Sequence, residues 1–469
     1  MPWCVSCRSA SPRCGNGIRP NIARCSRSSI PTGFRIPTWP CSMRVADLGA
    51  RRVAIWGLGR EGRAAIGFLR MHHPRLPLVL LDDTAEARIP EEYGSNITFA
   101  FGAEKIANVL TGVDVVVKSP GVSLYRHDIQ SARKNGVQIT SLLNLWFAEK
   151  PDLTTIAVTG TKGKSTTASL IAHILTRLDR TVALAGNIGV PVTEISNVDY
   201  AVIEVSSYQA ADFDGVCDLA VLTSLYPEHA DWHLTVERYI RDKVNLLLRS
   251  RCRIVNGAAD DAVDTVIAGS PGRKYLFNAE NGIHSEETEI FEGRDWIGSV
   301  RNPYLVRAHN RSNLCAALSV AKILQLDLAA ALYAARDFCG LPHRQQELGE
   351  SRNILFVDDS ISTIPESTIA ALAVYADRDV TVIVGGYDRG IDYGKLVEAL
   401  TRGAAKVVIC IGDTGSRIYA QMRATLNRMG GSGNAIYRAN SMEDAVLHAV
   451  RVTPPGGVVL LSPAAPSYG

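Results

Sequence analysis

The stretch TTIAVTGTKGKSTTASLIAHIL, residues 154–175, decides the fold of the middle of the chain. It reads as an apolar strand, a glycine-rich turn and an amphipathic helix in succession, which is the order of a phosphate-binding loop. Gly160 and Gly163 allow backbone amides to converge on a phosphate, and the helix N-terminus favours an anion. A glycine-rich turn with a chance lysine is the alternative. Because strand, GxxGK[ST]T spacing and helix coincide, we predict a nucleotide-phosphate site.

Side chains of the same loop provide a cation and hydroxyl groups. Lys164 supplies a positive charge, and Ser165 or Thr166 can bind magnesium. The loop residues expected to contact ATP are Gly160, Thr161, Lys162, Gly163, Lys164, Ser165 and Thr166.

Short β-branched runs alternate with helical stretches from Arg52 to the end of the chain. This alternation is typical of α/β domains with parallel sheets. The series begins anew after Pro151 and again after LPHRQQEL, residues 341–348. We predict three consecutive α/β domains: a Rossmann-like domain (44–150), a P-loop ATPase-like domain (151–342) and a Rossmann-like C-terminal domain (343–469).

Residues 1–43 differ from the rest, with six arginines, no acid and five of the ten cysteines. Zinc binding by Cys4, Cys7, Cys14 and Cys25 is disfavoured because the spacing fits no common finger and no histidine follows. A transit peptide is also rich in Arg and Ser, but the prolines and cysteines do not suit an amphipathic helix. We expect a disordered or spurious extension, with translation beginning near Met43.

Composition excludes several classes of protein. The chain is 46% hydrophobic and 21% charged, and it lacks an apolar run of the roughly 18–20 residues that cross a bilayer. Without the six N-terminal arginines the formal charge of +3 becomes about −3, which gives no indication of nucleic acid. The other cysteines are scattered singly, as in reduced proteins. We expect a cytoplasmic monomer without membrane insertion.

A second glycine motif lies near the start of the first domain. Gly57, Gly59 and Gly62 match G-x-G-x-x-G, and Asp82 and Asp83 follow about twenty residues later. The motif suits NAD, UDP or close packing of a helix on a sheet, and does not choose among them.

Two segments downstream of the phosphate loop carry candidate metal ligands. Glu204 ends the apolar run YAVIE, where an acid beside a phosphate loop can bind magnesium. His229 lies in YPEHADWH, residues 226–233. A solvated strand-end acid and a packed loop histidine are the alternatives.

Seven motifs occur in a fixed order: GTKGKST (160–166), EVSSYQ (204–209), EHADWH (228–233), HNxxN (309–313), LPHR (341–344), DS (359–360) and LSPA (461–464). This series resembles the Mur ligase family, and most closely its branch that adds glutamate to UDP-N-acetylmuramoyl-L-alanine. The resemblance covers residues 44–469. It implies an ATP-dependent amide ligase of peptidoglycan synthesis, whose partners are that UDP-sugar, glutamate and ATP.

The resemblance also assigns residues. It implies further ATP contacts at Asn310, Arg344 and Asp359. It implies contacts to the UDP-substrate at Gly57, Leu58, Gly59, Thr84, Asn187, Ser206 and Gln209. Of two magnesium ions, one would be held by Ser165 with Glu204 and the other by His229 with Lys243, whose amine would carry carbon dioxide as a carbamate. The alternative for Lys243 is an ordinary exposed lysine on a helix.

The implied reaction is phosphoryl transfer to the alanine carboxylate, then attack of the glutamate amine on the acyl phosphate. Lys164, His229 and Lys243 are the expected catalytic residues. Either His229 or a metal-side carboxylate takes the proton of the amine.

The chain departs from the family at the amino-acid pocket. Members that add D-glutamate carry D-S-K-A-T-N, whereas Ile361 stands here in place of the lysine. We expect glutamate contacts from Ser360, Ser362, Thr363 and Ser467, and L-glutamate as the substrate. The alternative is that Arg389 replaces the lysine and D-glutamate is kept. The end at Gly469 also suggests a truncated C-terminus.

Three other functions compete with this interpretation. Folate polyglutamylation uses a similar P-loop domain, but those enzymes lack a UDP-binding domain. A nicotinamide oxidoreductase leaves GTKGKST and His229 unexplained, and a nucleotide-gated binding module without catalysis is the third.

Overall fold

The computed structural model describes residues 43–84, 96–149, 152–226, 230–388, 391–428 and 435–466. These residues lie within one compact unit, 36–469. They build three sheets in succession, each covered by helices, which confirms the prediction of three consecutive α/β domains. The predictions for residues 1–42, His229, Arg389 and Ser467 concern positions outside the described residues.

The first domain is a parallel sheet covered by helices. Its strands are β1 (Val53–Trp56), β2 (Leu78–Asp82), β3 (Ile97–Phe101), β4 (Val115–Lys118) and β5 (Gln138–Thr140), and its helices are α1 (Arg60–His72), α2 (Ala103–Leu110), α3 (His127–Lys134) and α4 (Leu142–Ala148). The strand order is β3-β2-β1-β4-β5. Every residue of β1 and β4 is buried, as expected for parallel strands packed on both faces.

The central domain contains a nine-stranded sheet. Its strands are β6 (Thr154–Thr159), β7 (Val182–Gly186), β8 (Tyr200–Glu204), β9 (Cys217–Leu222), β10 (Ser250–Asn256), β11 (Arg273–Phe277), β12 (Ile283–Glu286), β13 (Glu289–Glu292) and β14 (Asp295–Ser299). Its helices are α5 (Lys164–Arg177), α6 (Ser207–Ala211), α7 (Ala230–His233), α8 (Val236–Leu248), α9 (Asp260–Ile267), α10 (Ala308–Ile323) and α11 (Leu328–Ala334).

The strand order of this sheet locates a ligand site. The order is β14-β13-β12-β11-β10-β9-β6-β8-β7. β6 pairs in parallel with both β8 and β9. After β6 the chain forms β7 and β8 on one side of this strand, and it then crosses to form β9 on the other side. Ligands of open α/β sheets bind at the carboxyl ends of strands at such a switch point, which here follows β6.

The third domain has six strands in the order β15-β16-β20-β17-β18-β19. β15 pairs antiparallel with β16, and the other strand pairs among the described residues of this domain are parallel. The strands are β15 (Gln346–Ser351), β16 (Ile354–Asp358), β17 (Val380–Val384), β18 (Val407–Ile411), β19 (Ala435–Ala439) and β20 (Val458–Leu461), and the helices are α12 (Pro365–Val374), α13 (Gly394–Ala399), α14 (Gly412–Arg428) and α15 (Met442–Val452). Short 3-10 and π turns span Val45–Leu48, Val192–Glu194, Gly257–Ala259, Ala335–Asp337 and Leu400–Ala404.

One predicted strand is shorter than its apolar run. The run VQITSLL, residues 137–143, predicts an extended segment, but β5 ends at Thr140 and α4 begins at Leu142. Ser141 caps this helix by accepting a hydrogen bond from the backbone amide of Asn144 at 3.3 Å, a favourable N-cap interaction that the apolar pattern concealed.

The structure bears on two features that the sequence argues against, namely membrane-spanning segments and disulfide bonds. Their helices include none with the length and apolar character needed to traverse a lipid bilayer. Cys217, Cys252, Cys315, Cys339 and Cys410 are unbridged, and all except Cys339 are buried.

Candidate active site

The phosphate loop, residues 160–166, follows β6 and is braced by the residues after β9. Thr161 donates its amide to the carbonyl of Ser224, and Lys162 donates its amide to the Ser224 hydroxyl, both at 2.8 Å. Gly160 has φ +148°, and an added Cβ would lie 2.0 Å from the Thr223 hydroxyl oxygen. A side chain at position 160 is therefore excluded both by conformation and by space.

The hydrogen bonds to Ser224 reduce the number of loop amides that are available to bind phosphate. Since Ser224 occupies the amides of Thr161 and Lys162, the amides of the first turn of α5 are the better donors, because a helix start leaves its N–H groups without helical partners. Ser165 and Thr166 are buried in that turn. The Lys164 ammonium folds back and donates to the Thr161 carbonyl at 3.0 Å.

Glu204 ends β8 directly beside β6, where it pairs in register with Val158. Its side chain is 1% exposed, and Oε1 accepts a hydrogen bond from Nδ2 of Asn187 at 3.1 Å. Oε2 is buried and has no hydrogen-bond donor among the described residues. A buried carboxylate oxygen without a donor is unfavourable unless a cation offsets its charge, so the position fits a magnesium ion, which prefers oxygen ligands.

The rest of the predicted metal set is only partly described. Within the described part of the chain, no group of three His, Cys, Asp or Glu side chains is arranged to hold a metal. The predicted sets instead combine a Ser165 hydroxyl with one carboxylate, and a carbamate with His229, which lies outside the described residues.

Lys243 reaches the phosphate loop from α8. It is 2% exposed, its ammonium donates to the Gly160 carbonyl at 2.8 Å, and it lies 5.0 Å from the ring centre of Tyr239. The alternative of an exposed helix lysine is therefore wrong. Tyr239 also contacts the loop, with its hydroxyl 2.7 Å from the Thr161 hydroxyl, so α8 touches the loop twice.

Asn310 lies at the start of α10 and is connected to α5 through a second asparagine. Its Nδ2 donates to the Tyr304 carbonyl at 2.9 Å, while its Oδ1 accepts from Asn313 at 3.3 Å. Asn313 in turn accepts from the Thr167 hydroxyl at 3.1 Å. The HNxxN motif is thus attached to α5, the helix that follows the phosphate loop.

Arg344 and Asp359 lie together at the start of the third domain. The amide of Gln345 donates to Asp359 Oδ1 at 3.1 Å, and the hydroxyls of Ser362 and Ser462 donate to Oδ2 at 2.6 and 2.7 Å. Burial raises the pKa of Asp359, although these hydrogen bonds and the charge of Arg344 lower it. Nε of Arg344 is buried without a hydrogen-bond acceptor among the described residues.

The same contacts bear on the predicted glutamate residues. The Ser362 proton is committed to Asp359, so Ser362 can meet glutamate only as an acceptor in this state. Ser360 donates its amide to Asp358 at 2.9 Å, and Thr363 is partly exposed.

Two of the predicted UDP contacts of the first domain, Leu58 and Thr84, bond to Asp82. Leu58 donates its amide to Asp82 Oδ2 at 2.8 Å, and the amide and hydroxyl of Thr84 donate to Oδ1 at 3.0 and 2.8 Å. Gly57 follows β1 and Gly59 precedes α1. A Cβ at Gly62 would lie 1.9 Å from the Gly57 carbonyl oxygen, so the glycine permits this close approach.

The remaining predicted UDP contacts lie across the seam between the first and central domains. Ser206 and Gln209 form a capping box at the start of α6. Nε2 of Gln209 donates to Oε1 of Glu61 at 2.5 Å, and Arg60 donates to the Gly189 carbonyl at 2.8 Å. The sequence did not predict these contacts of Arg60 and Glu61, because both residues stand at x positions of the G-x-G-x-x-G motif, where the motif specifies no residue type.

These features define a P-loop nucleotide-binding protein built from three α/β domains. The chain belongs to the Mur ligase family: family models match the MurD-like N-terminal domain at residues 51–141, the Mur ligase middle domain at 158–321 and the glutamate ligase domain at 343–465. The predicted family is thereby confirmed, and with it the prediction of a ligase.

Similar proteins agree with this assignment. A UDP-N-acetylmuramoyl-L-alanine–L-glutamate ligase from Xanthomonas euvesicatoria pv. vesicatoria is 39% identical, covering 91% of this chain and 93% of its own. A ligase of the same name from a Micromonospora species is 40% identical, covering 91% and 94%.

Solved structures share the fold at lower identity. MurF from Acinetobacter baumannii has a TM-score of 0.57 at 15% identity, covering 87% of this chain and 86% of its own. UDP-N-acetylmuramate-alanine ligase MurC from Thermotoga maritima has a TM-score of 0.55 at 19% identity, covering 88% and 96%.

Proposed function

We propose that the chain uses ATP to join L-glutamate to UDP-N-acetylmuramoyl-L-alanine in peptidoglycan precursor synthesis. The observation that carries the proposal is the placement of three side chains around the end of β6. Lys164 and Lys243 donate to carbonyls of the loop that follows β6, and Glu204, which lies beside β6, has an oxygen without a donor among the described residues. The names of relatives about 39% identical over 91% of the chain support the same reaction and the L-isomer.

The proposed chemistry has two steps. An oxygen of the alanine carboxylate attacks the γ-phosphorus of ATP, so that ADP leaves and an acyl phosphate forms. The glutamate nitrogen then attacks the acyl carbon, phosphate leaves with the bonding electrons, and the nitrogen loses a proton.

Cations are needed because the carboxylate and the γ-phosphate repel each other. Lys164 can move from the Thr161 carbonyl to the phosphates, and the first turn of α5 offers amides for the same charge. Magnesium, when bound by Ser165 and Glu204, would supply further positive charge. We propose His229 and a carbamate on Lys243 for the second ion.

In the proposal the third domain brings ATP and glutamate contacts through Arg344, Asp359, Ser360, Thr363 and Ser467. Asn310 serves the nucleotide from the central domain. We propose that the reaction takes place in the cytoplasm. We also propose a monomer, because the three domains of one chain carry every predicted contact.

Omission of single substrates tests the proposal. Purified protein with ATP, magnesium, L-glutamate and the UDP-sugar should release phosphate, and release should stop when any one is left out. Phosphate release that does not depend on the UDP-sugar, or oxidation of NADH without ATP, would contradict the proposed function.

A further inference from the structure

Glu61 crosses the seam between two domains to reach a residue of the proposed substrate site. It is the second residue of α1, directly after the G-x-G turn, and it accepts a hydrogen bond from Gln209 at 2.5 Å over 148 positions of sequence. Gln209 is 4% exposed. A buried amide so far from Glu61 in sequence meets it only because the two domains pack together here.

The two partners of Gln209 fix the direction of its carboxamide. Oε1 accepts from the Ser206 amide at 2.9 Å, and Nε2 donates to Glu61. A flipped carboxamide would place its NH₂ group against the Ser206 N–H and its oxygen against the Glu61 carboxylate, losing both bonds. In the part of the chain that the structure describes, each end of the amide keeps one unused capacity, a second N–H and a second lone pair.

Charged residues of both domains lie near Glu61 and act on its charge. Lys118 and Asp212 form an ion pair at 3.0 Å, with side chains 1% and 8% exposed. Burial and the nearby charge of Asp212 raise the pKa of Glu61 to about 7, opposed by Lys118, the Gln209 hydrogen bond and Arg60. The environment of Glu61 therefore includes charges from both domains.

A narrow cleft opens beside this pair. Its lining includes Arg60, Glu61, Gly186 and Gln209, together with apolar residues of α1 and α4. Arg60 also donates to the carbonyls of Gly186 and Gly189 at 3.5 and 2.8 Å, on either side of Asn187. The first turn of α1 thus contacts both central segments that carry predicted UDP-substrate residues.

We propose that Glu61 is a positioning residue for the UDP-sugar substrate, acting by fixing the Gln209 carboxamide in the orientation that binds it. The inference rests on the proposed function, since it assumes that Gln209 contacts this substrate. Glu61 needs no contact of its own with the reacting atoms.

A double-mutant cycle tests the coupling. Glu61→Ala and Gln209→Ala should each raise KM for the UDP-sugar by roughly tenfold, and the double variant by no more than either alone, because both remove one arrangement. KM for ATP should stay within about threefold. Glu61→Gln keeps an acceptor oxygen and should recover most of the loss.

Controls separate this role from damage to the fold. Glu104→Ala changes an exposed glutamate on α2 of the same domain and should leave both KM values unchanged. Additive effects in the cycle, or an equal rise in KM for ATP, would overturn the inference alone. Wild-type phosphate release that ignores the UDP-sugar would overturn the proposed function and this inference with it.

Discussion

The ammonium of Lys243 donates a hydrogen bond to the Gly160 carbonyl at 2.8 Å, joining α8 to the phosphate loop across 83 positions of sequence. A lysine held at this place can deliver a negative charge beside the loop once its amine carries carbon dioxide. It must first leave Gly160 as the neutral amine, since only that form reacts.

Lys243→Ala should abolish most activity because the carbamate cannot form. Acetate, which can occupy the vacated space as an oxygen ligand, should restore part of the rate. Arg241→Ala on the exposed side of the same helix is the control. A free amine by intact mass, together with an active Lys243→Ala variant, would refute the assignment.

Lys164→Ala should lower turnover by at least about a hundredfold, because the cation that we propose between donor phosphate and acceptor carboxylate is lost. Steady-state phosphate release measures the change, with Lys105→Ala on the surface of α2 as the matched control. A loss smaller than tenfold would remove Lys164 from the catalytic set.

Glu204→Gln should raise the magnesium concentration for half-maximal activity by about tenfold or more, because the variant keeps the shape but removes the negative charge next to a hard cation. A magnesium titration at saturating ATP checks this, and the exposed Glu194→Gln in the same domain serves as control. An unchanged magnesium requirement would mean that Glu204 is not a ligand.

L-glutamate should be preferred over D-glutamate by at least about tenfold in kcat/KM, which corresponds to about 1.4 kcal/mol. The physical reason is that Ile361 provides no cation, so oriented hydroxyls and amides must bind the carboxylate and constrain the enantiomer. Parallel assays at equal concentration decide. Preference for the D-isomer would favour a role for Arg389 and leave the ligase itself intact.

The stability of the protein should depend on pH through Glu61. Its pKa is about 7 in the folded protein, against an ordinary value of 4.5 that the unfolded chain regains. Between these two values the folded protein holds the proton that the unfolded chain releases. Stability from this group is present at low pH and falls as pH rises to 7.

The free energy of unfolding of Glu61→Gln relative to wild type should therefore increase from pH 4.5 to 7, by up to about 3 kcal/mol. Asp212, Lys118 and Arg60 face the same group and stay unchanged in the comparison. Denaturant unfolding at several pH values measures it, with Glu104→Gln as control. A difference that is flat with pH would contradict the raised pKa.

Local sequence signals predicted the local structure around the phosphate loop, whereas the roles assigned to its residues stay predictions. The phosphate loop combines strand, glycines and helix within about twenty residues, and its geometry follows from backbone conformation. Glu204 is predicted as a magnesium ligand because it ends a strand. The end of a parallel strand next to the phosphate loop lies at the same edge of the sheet as the loop. The ordered motifs supplied Asn310, Arg344 and Asp359.

Contacts between distant segments could not be predicted in this way. The bond from Glu61 to Gln209 and the Lys118–Asp212 pair arise only when the first domain packs on the second. The strands of the β12–β14 meander were also missed, since residues such as His284, Glu289 and Asp295 give them a polar pattern that resembles loops.

The two bonds of Arg60 to the carbonyls around Asn187 limit how the domains can be exchanged. Nδ2 of Asn187 donates to Glu204, so the segment that Arg60 of the first domain contacts also holds the buried carboxylate that we propose as a magnesium ligand. Recombination that replaced the first domain with that of another ligase would remove Arg60 and Glu61, and would break these contacts unless the incoming domain carried an arginine and a glutamate at those positions. An exchange of domains therefore has to preserve side chains on both sides of the seam.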